Sequence, residues 1–391
     1  MIDTIIIYLF VISVGLVIYH HALYPLMLRF VAKFKHTKQP RIKTRKYVES
    51  KQDDKLKEFS IVIPAFNEAK FIAEKIRNLS FLDFPNEKFE LILLCDGCSD
   101  ETYHIASEAL EEIGCYDLNY KILNFEINRG KVAVIKEGVK QAKFDNIVFS
   151  DVSALLPVNA LLMLDTHFNN KEVGAVSGAY QFANKGTVGE QKYWNYQSKL
   201  KTRESLIASV LGAHGAFYAI KKSCYKDIPA NTINDDFLIP MNVIKQGYRV
   251  VYEPRVAAIE LEKVDLKQDM KRRLRIAAGN FQQLLYLLPL INPKYGWNAV
   301  NFASGKALRA IIPFLFLCIF FSSIYLFSSH LIFQLAFYSQ VALYGGVLII
   351  NLLGLSSKNY LVKIVCYLVN GYWVALLGAL KYLLGLQQKI W

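Results

Sequence analysis

The sequence predicts an α/β domain with a mostly parallel sheet, framed by apolar helices at both ends of the chain. Three observations carry that expectation. The 391 residues are 53% hydrophobic, above the usual globular range, and the excess lies at the two ends. Between about Lys57 and Asn280, short apolar runs alternate with amphipathic stretches at the spacing of a parallel sheet. A dense basic run directly follows the first apolar stretch.

The ends come first. Ile5 to Tyr19 is apolar except for Ser13, and three further apolar stretches cover Ile311–Phe327, Leu331–Leu355 and Leu361–Leu380. Each approaches the about 20 residues that a helix needs to cross a bilayer. A cleaved signal peptide is not expected: Asp3 is the only charge before the first run, and His20-His21 and Tyr24-Pro25 follow it instead of a small-residue cleavage site. The net charge of +13 is concentrated by Arg29, Lys33, Lys35, Lys38, Arg41, Lys43, Arg45 and Lys46. Such a flank stays in the cytoplasm and attracts anionic lipid. Its place beside a membrane helix argues against nucleic acid as the partner. The expected layout is an anchor at 1–31, a basic linker at 32–57, the α/β domain at 58–280, an interfacial amphipathic segment at 281–306, and about three membrane helices at 307–391. The middle of the chain is then cytosolic, with both termini outside and Lys358 in an inner turn. Lys185 is expected on the exposed surface.

Within the α/β domain, Phe59-Ser-Ile-Val-Ile-Pro64 reads as a buried strand, and Asn67-Glu68 opens a helix through Leu79. Phe89–Leu94 is a second strand ending at Asp96-Gly97, followed by a helix from about Glu101 to Ile113. Tyr120–Leu123 is a third strand, Lys131–Ala142 a helix, and Asn146–Ser150 a fourth strand ending at Asp151. Ligands of such sheets bind beyond the carboxyl ends of the strands. Asn67, Glu68, Asp96, Asp100 and Asp151 stand there.

Several motifs have chemistry to offer, each beside a plainer reading. In Asp96-Gly-Cys-Ser-Asp100, a carboxylate can accept from the N–H edge of a nucleobase; equally, Ser99 or Asp100 caps the next helix. In Asn128-Arg-Gly-Lys131, a glycine and a lysine at a helix start suit a phosphate, or form a simple turn. Asp151-Val-Ser153 offers one carboxylate to a divalent cation on a diphosphate, with Ser153 a poor second ligand. Asn234-Asp-Asp-Phe237 offers a base and its neighbour, or a helix cap. Arg272, Arg273 and Arg275 form a basic cluster suited to a diphosphate or to lipid headgroups. His214, in Gly212-Ala-His-Gly215, reads as an ordinary loop histidine, and Cys95 and Cys98 as reduced thiols. The chain has no Gly-x-Ser-x-Gly elbow, Walker loop or metal-binding His pair.

The order of these motifs resembles that of the family 2 glycosyltransferases, which are inverting enzymes with a nucleotide-diphospho-sugar transferase (GT-A) fold. The resemblance covers about Phe59 to Gly279. Ile63-Pro-Ala-Phe-Asn-Glu68 is similar to the opening donor-site motif, Asp96–Asp100 to the uracil-contacting D-G-x-S-D, and Asn128–Lys131 to N-x-G-K. Asp151 falls at the first Asp of the metal-binding D-x-D, and Asp235-Asp236 at the E-D pair whose second residue is the base. The resemblance implies Asp236 as base beside Asp235, and donor contacts from Pro64, Asn67, Glu68, Asp96, Asp100, Lys131, Asp151 and Arg272. It also implies Mg²⁺ or Mn²⁺ at Asp151 and stabilisation of the leaving diphosphate by Arg275. Two departures stand out: Ser153 replaces the second Asp of D-x-D, and the Q-x-x-R-W of processive synthases reads Arg272-Arg-Leu-Arg275-Ile276. The implied activity is transfer of a sugar from a nucleotide-diphospho-sugar, most simply a UDP-sugar, to a lipid-linked or glycan acceptor at the cytosolic membrane face. Membrane lipid and other glycan-assembly proteins are the implied partners. A processive polysaccharide synthase, a non-catalytic partner subunit and a membrane scaffold are the alternatives.

Overall fold

The computed structural model describes residues 1–35, 40, 44–183, 188–262, 266–355 and 359–386. Lys38, Arg41, Lys43, Lys185 and Lys358 lie outside these described residues. The chain packs as two compact units. One takes in Met1–Phe34, Gly186–Leu200 and Asp265–Gln387, and the other Lys35–Lys185 and Lys201–Val264. The chain enters through α1 (Ile2–Ile18) and α2 (Tyr24–Lys33), which one π-helical turn over Tyr19–Leu23 joins into a continuous apolar stretch.

The α/β unit is built on one eight-stranded sheet in the order β3-β2-β1-β4-β7-β6-β8-β5. Its strands are β1 (Phe59–Ala65), β2 (Phe89–Asp96), β3 (Tyr120–Phe125), β4 (Asn146–Phe149), β5 (Ala154–Leu155), β6 (Val173–Phe182), β7 (Tyr218–Lys221) and β8 (Arg249–Glu260). Strands β3, β2, β1 and β4 run parallel; β7 enters antiparallel to both β4 and β6; β8 is parallel to β6. The central β1 and β2 are buried at every residue, as strands covered on both faces must be. Helices α3 (Ile72–Ser80), α4 (Thr102–Glu111), α5 (Lys131–Gln141), α6 (Ala160–Phe168), α7 (Val188–Ile207) and α8 (Asp235–Lys245) connect the strands.

The four predicted strands and the helices between them are found, with boundaries within about two residues except at the start of the first helix. The first helix begins at Ile72, not at Asn67-Glu68. Asn67 sits in the left-handed region (φ +56°), which no helix interior accepts, and its side chain is engaged by the neighbouring loop. Pro64 is tolerated in a central strand because β4 pairs with β1 only as far as Val62. The missing N–H therefore breaks no ladder bond on that side. Gly138 lets α5 close onto β1: a Cβ there would lie 2.4 Å from Val62 Cγ1.

Part of the basic linker is bound to this unit. Asp83, 6% exposed, accepts from the amides of Lys46 (2.7 Å) and Tyr47 (2.8 Å), which both have positive φ. Arg45 bonds Asp53 at 3.0 Å, and the Tyr47 hydroxyl donates to Phe81 O at 2.8 Å. Arg45 is thus an ion-pair partner within the domain as well as part of the basic run.

The other unit continues with α9 (Leu266–Leu287), α10 (Trp297–Asn301), a π-helical turn over Phe302–Ala307, α11 (Leu308–Tyr325), α12 (Leu331–Leu352) and α13 (Tyr360–Leu383). Ile2–Lys33, Trp297–Tyr325, Leu331–Leu352 and Leu361–Leu383 are each long and apolar enough to cross a membrane. The second of these starts well before the predicted Ile311. Phe281–Leu290 is not a separate helix: it completes α9 through Leu287 and then tightens to a 3-10 turn containing Pro289, which lacks the N–H an α-helix would use. Small residues set the approach of α13 to α9, since a Cβ on Gly378 would meet Ala277 Cβ at 2.5 Å. Phe10, Ile319, Leu326 and Phe333 form an apolar cluster that joins α1 to α11 and α12.

Asp83→Ala removes the buried carboxylate that accepts from the Lys46 and Tyr47 amides, and we expect a loss of about 1 kcal/mol. Limited proteolysis should then cut between Arg45 and Lys57 well before wild type is cut there.

Candidate active site

The carboxyl ends of β1, β2 and β3 carry three loops that bind one another through the residues singled out by sequence. Asn67 Oδ1 accepts from the Ser99 amide at 2.8 Å. Asp100 accepts from the Ala69 amide (3.2 Å), the Thr102 amide (3.1 Å) and the Thr102 hydroxyl; these bonds outweigh burial and hold its pKa below the ordinary carboxylate value. Thr102 Oγ1 in turn accepts from the Glu68 amide at 2.7 Å. Asp96 is fully buried, and its oxygens accept from the Arg129 (2.9 and 3.0 Å) and Gly130 (2.9 Å) amides. Asp96 therefore shapes the Asn128–Lys131 turn. That turn needs close approach, because a Cβ on Gly97 would fall 2.3 Å from Asn128 N. Pro64 is buried within β1 and lies below these loops.

Beyond them lies the charged centre. The turn aims Lys131 at Asp151, with Nζ 2.8 Å from Oδ1. Burial works against the Lys131 ammonium, but Asp151, Asp235 and Asp236 together push its pKa above the ordinary lysine value. Asp235 and Asp236 open α8, with Asn234 at its N-cap. Asp235 is buried and Asp236 half-buried. Asp236 Oδ2 accepts from the Gly215 amide at 2.9 Å, and its carbonyl accepts from the Ala213 amide at 2.9 Å. Burial, followed by the neighbouring Asp235, raises Asp236 to about 6. Glu68 is raised further, to about 8, by burial and by Glu262, Asp151 and Glu260. These groups act on one another, so the structure brings together Glu68, Lys131, Asp151, Asp235 and Asp236.

Sequence reasoning passed over four contributors. The Gly212–Gly215 loop, read as ordinary, supplies the N–H that holds Asp236, and a Cβ on Gly215 would lie 2.8 Å from Asp151 Oδ2. His214 stacks on Tyr180 with ring centroids 3.9 Å apart. Tyr218, 1% exposed, is pushed well above the usual tyrosine pKa by burial and then by Asp235, Asp236 and Asp151. Glu260 and Lys75 are buried behind the site. No local motif marks these residues, because they are contributed by distant segments.

A divalent cation is tested against these groups. Asp151 presents a carboxylate whose Oδ1 Lys131 engages, and Ser153 is buried. The buried Tyr218 hydroxyl has no hydrogen-bond partner among the described residues and is close to three carboxylates. An acidic pocket with an orphaned hydroxyl fits a hydrated cation. Among the described residues no three His, Cys, Asp or Glu side chains surround one point, so such a cation would need diphosphate oxygens to complete its shell. The six cysteines are free, and burial pushes Cys95 up to about 12, which suits inert thiols. Arg272 and Arg275 lie on α9, in the other compact unit.

A sheet with donor-type loops at its carboxyl ends and an Asp pair opening a helix defines a class that sequence comparison makes specific. The chain belongs to the family 2 glycosyltransferases: residues 57–279, more than half of it, match the family described as Glycosyltransferase like family 2. It is a glycosyltransferase of GT-A-like fold. It is 26% identical over 234 residues to a poly-beta-1,6-N-acetyl-D-glucosamine synthase of Staphylococcus epidermidis, a match covering 58% of this chain and 55% of that one. It is 27% identical over 240 residues to the synthase of the same name from Staphylococcus aureus strain COL, covering 59% and 57%. The chain thus spans little more than half the length of these curated relatives. Among solved structures it resembles the mannosyltransferase PcManGT from Pyrobaculum calidifontis, in complex with GDP-Man and Mn²⁺, with a TM-score of 0.69. That likeness covers 97% of this chain and 100% of the other at 20% identity, and it concerns the fold.

Gly215→Ala would press a methyl group onto Asp151 and shift the amide that holds Asp236. We expect a folded protein whose transfer rate is lower by about 10- to 100-fold, measured as nucleotide released per active molecule.

Proposed function

We propose that the chain transfers a sugar, with inversion, from a UDP-sugar to a lipid-linked or glycan acceptor at the cytosolic face of the plasma membrane. The supporting observation is Asp236: a half-buried carboxylate with a pKa raised to about 6, held by a backbone N–H and set beside the Lys131–Asp151 ion pair. A general base poised near the working pH is efficient. Asp236 takes the proton of the acceptor hydroxyl. The oxygen attacks the anomeric carbon, the bond from that carbon to the diphosphate oxygen breaks, and UDP leaves from the opposite face. Lys131 offsets charge on the leaving diphosphate, and Arg275 and Arg272 are assigned to the same task by motif. Asp151 and the Tyr218 hydroxyl would hold the Mg²⁺ or Mn²⁺, which adds positive charge at the diphosphate when bound. Asn67, Glu68, Asp96 and Asp100 build the floor on which the nucleotide rests.

The cytosolic face is supported by the basic flank of the first apolar helix and by the cytosolic origin of nucleotide sugars. A second reading, a processive polysaccharide synthase, is favoured by the synthases among the relatives. Size analysis of the product of purified protein separates the two readings, because a synthase yields long chains where a single transferase adds one residue.

Asp236→Asn keeps the hydrogen bond from Gly215 and removes basicity. We expect turnover to fall at least about 100-fold while UDP still binds; near-normal turnover would reject Asp236 as the base. In wild type, kcat/KM should rise with pH through about 6, since only the deprotonated carboxylate accepts the proton. Chelation with EDTA should stop transfer and Mn²⁺ should restore it, whereas full activity in EDTA would remove the cation from the scheme.

A further inference from the structure

Lys75 is fully buried on the inward face of α3, in register with Ile72, Ile76 and Leu79. A leucine or methionine would fill that position without taking a charge out of water, a cost that persists only where something offsets it. The ammonium donates to Ser150 Oγ at 2.7 Å and to Ala154 O. Ser150 Oγ donates onward to Ala216 O at 2.7 Å. One side chain therefore ties together the residue before Asp151, the short strand β5 that pairs Ala154 with Glu260, and the loop whose Gly215 amide holds Asp236. The carboxylates that act on Lys75 are Asp151 and Glu260, and both also act on Glu68. Burial brings Lys75 down to about 7 against the pull of these two carboxylates.

We propose that Lys75 is a positioning residue and the site's resident counter-charge: from behind the cleft it holds the strand end bearing Asp151 and offsets the surrounding carboxylates. The proposal rests on the divalent cation of the function proposed above. The positive charge that Lys75 carries when protonated, held behind Asp151, weakens the hold of the carboxylates on a cation. It thereby lets the cation and the nucleoside diphosphate depart after transfer. Lys75 itself touches no reacting atom.

Full-length wild type, Lys75→Met and Lys75→Met/Glu260→Gln are compared in detergent. Mn²⁺ affinity is read by calorimetry in the presence of UDP, and unfolding by tryptophan fluorescence. We expect Lys75→Met to bind Mn²⁺ about threefold or more tightly, because a repelling charge has gone. Its kcat should fall while KM for the donor does not rise, and its unfolding temperature should drop. Adding Glu260→Gln should return Mn²⁺ affinity and unfolding temperature toward wild type, since removing both charges leaves neither uncompensated. A residue that served packing alone would loosen Mn²⁺ on removal. Unchanged or weaker Mn²⁺ binding by folded Lys75→Met overturns the proposal. If Lys75→Met does not fold, a folded double variant supports the counter-charge, and a double variant that fails alike refutes it. If wild type binds no Mn²⁺ with UDP, the metal reading fails separately. Lys75 then stands or falls on whether Glu260→Gln restores the unfolding temperature.

Discussion

Like charge crowded into a partly dehydrated cleft is the constraint on which the rest of this structure depends. Glu68, Asp151, Asp235, Asp236 and Glu260 act on one another or on shared neighbours where water is scarce. Carboxylates so placed repel, and burial penalises each ionised form. The structure offsets this in three ways. Lys131 forms an ion pair with Asp151. Lys75 donates from behind to Ser150 Oγ and Ala154 O, and adds a second positive charge when protonated. Glu68, at about 8, takes up a proton at neutral pH.

The sheet explains how these groups meet. Parallel β1, β2 and β4 deliver their carboxyl ends to one side, so residues 67, 96 and 151 converge although far apart in sequence. The antiparallel β7 then brings the 212–217 loop back beside β4. That loop gives Asp236 its N–H, and its glycine leaves room for the Asp151 carboxylate. Many of the loop carboxylates satisfy backbone amides. Asp96 and Asp100 spend oxygens on neighbouring loops, which preorganises the floor before a ligand arrives. Lys131 and Asp151 instead pair through side chains at the centre.

The two ends of the chain hold helices long and apolar enough to cross a membrane. Around α9, α11 and α13, close approach at Gly378 and Ala277 and aromatic packing of Phe281 on Phe314 and Tyr382 join the helices. Apolar side chains lie exposed on α12 in a way an aqueous surface rarely allows but hydrocarbon accepts.

The alternation of apolar runs and turn signals determined the first four strands, because buried parallel strands leave an unbroken hydrophobic signature. Composition at the ends determined the candidate spans, because a bilayer demands length and apolarity that few other settings do. The order of Asn67-Glu68, Asp96–Asp100, Asn128–Lys131, Asp151 and Asp235-Asp236 marked the donor and base segments. Sequence could not show that Asp96 faces a backbone turn, that Asn67 adopts a left-handed conformation and delays α3, or that Phe281 continues α9. Those outcomes depend on which neighbouring segment supplies the hydrogen-bond partner. Tertiary structure alone decided the parts played by Lys75, Gly215, Tyr218 and Glu260. A buried lysine looks like a surface lysine in sequence, and only the fold determines which charges surround it and whether water can reach them.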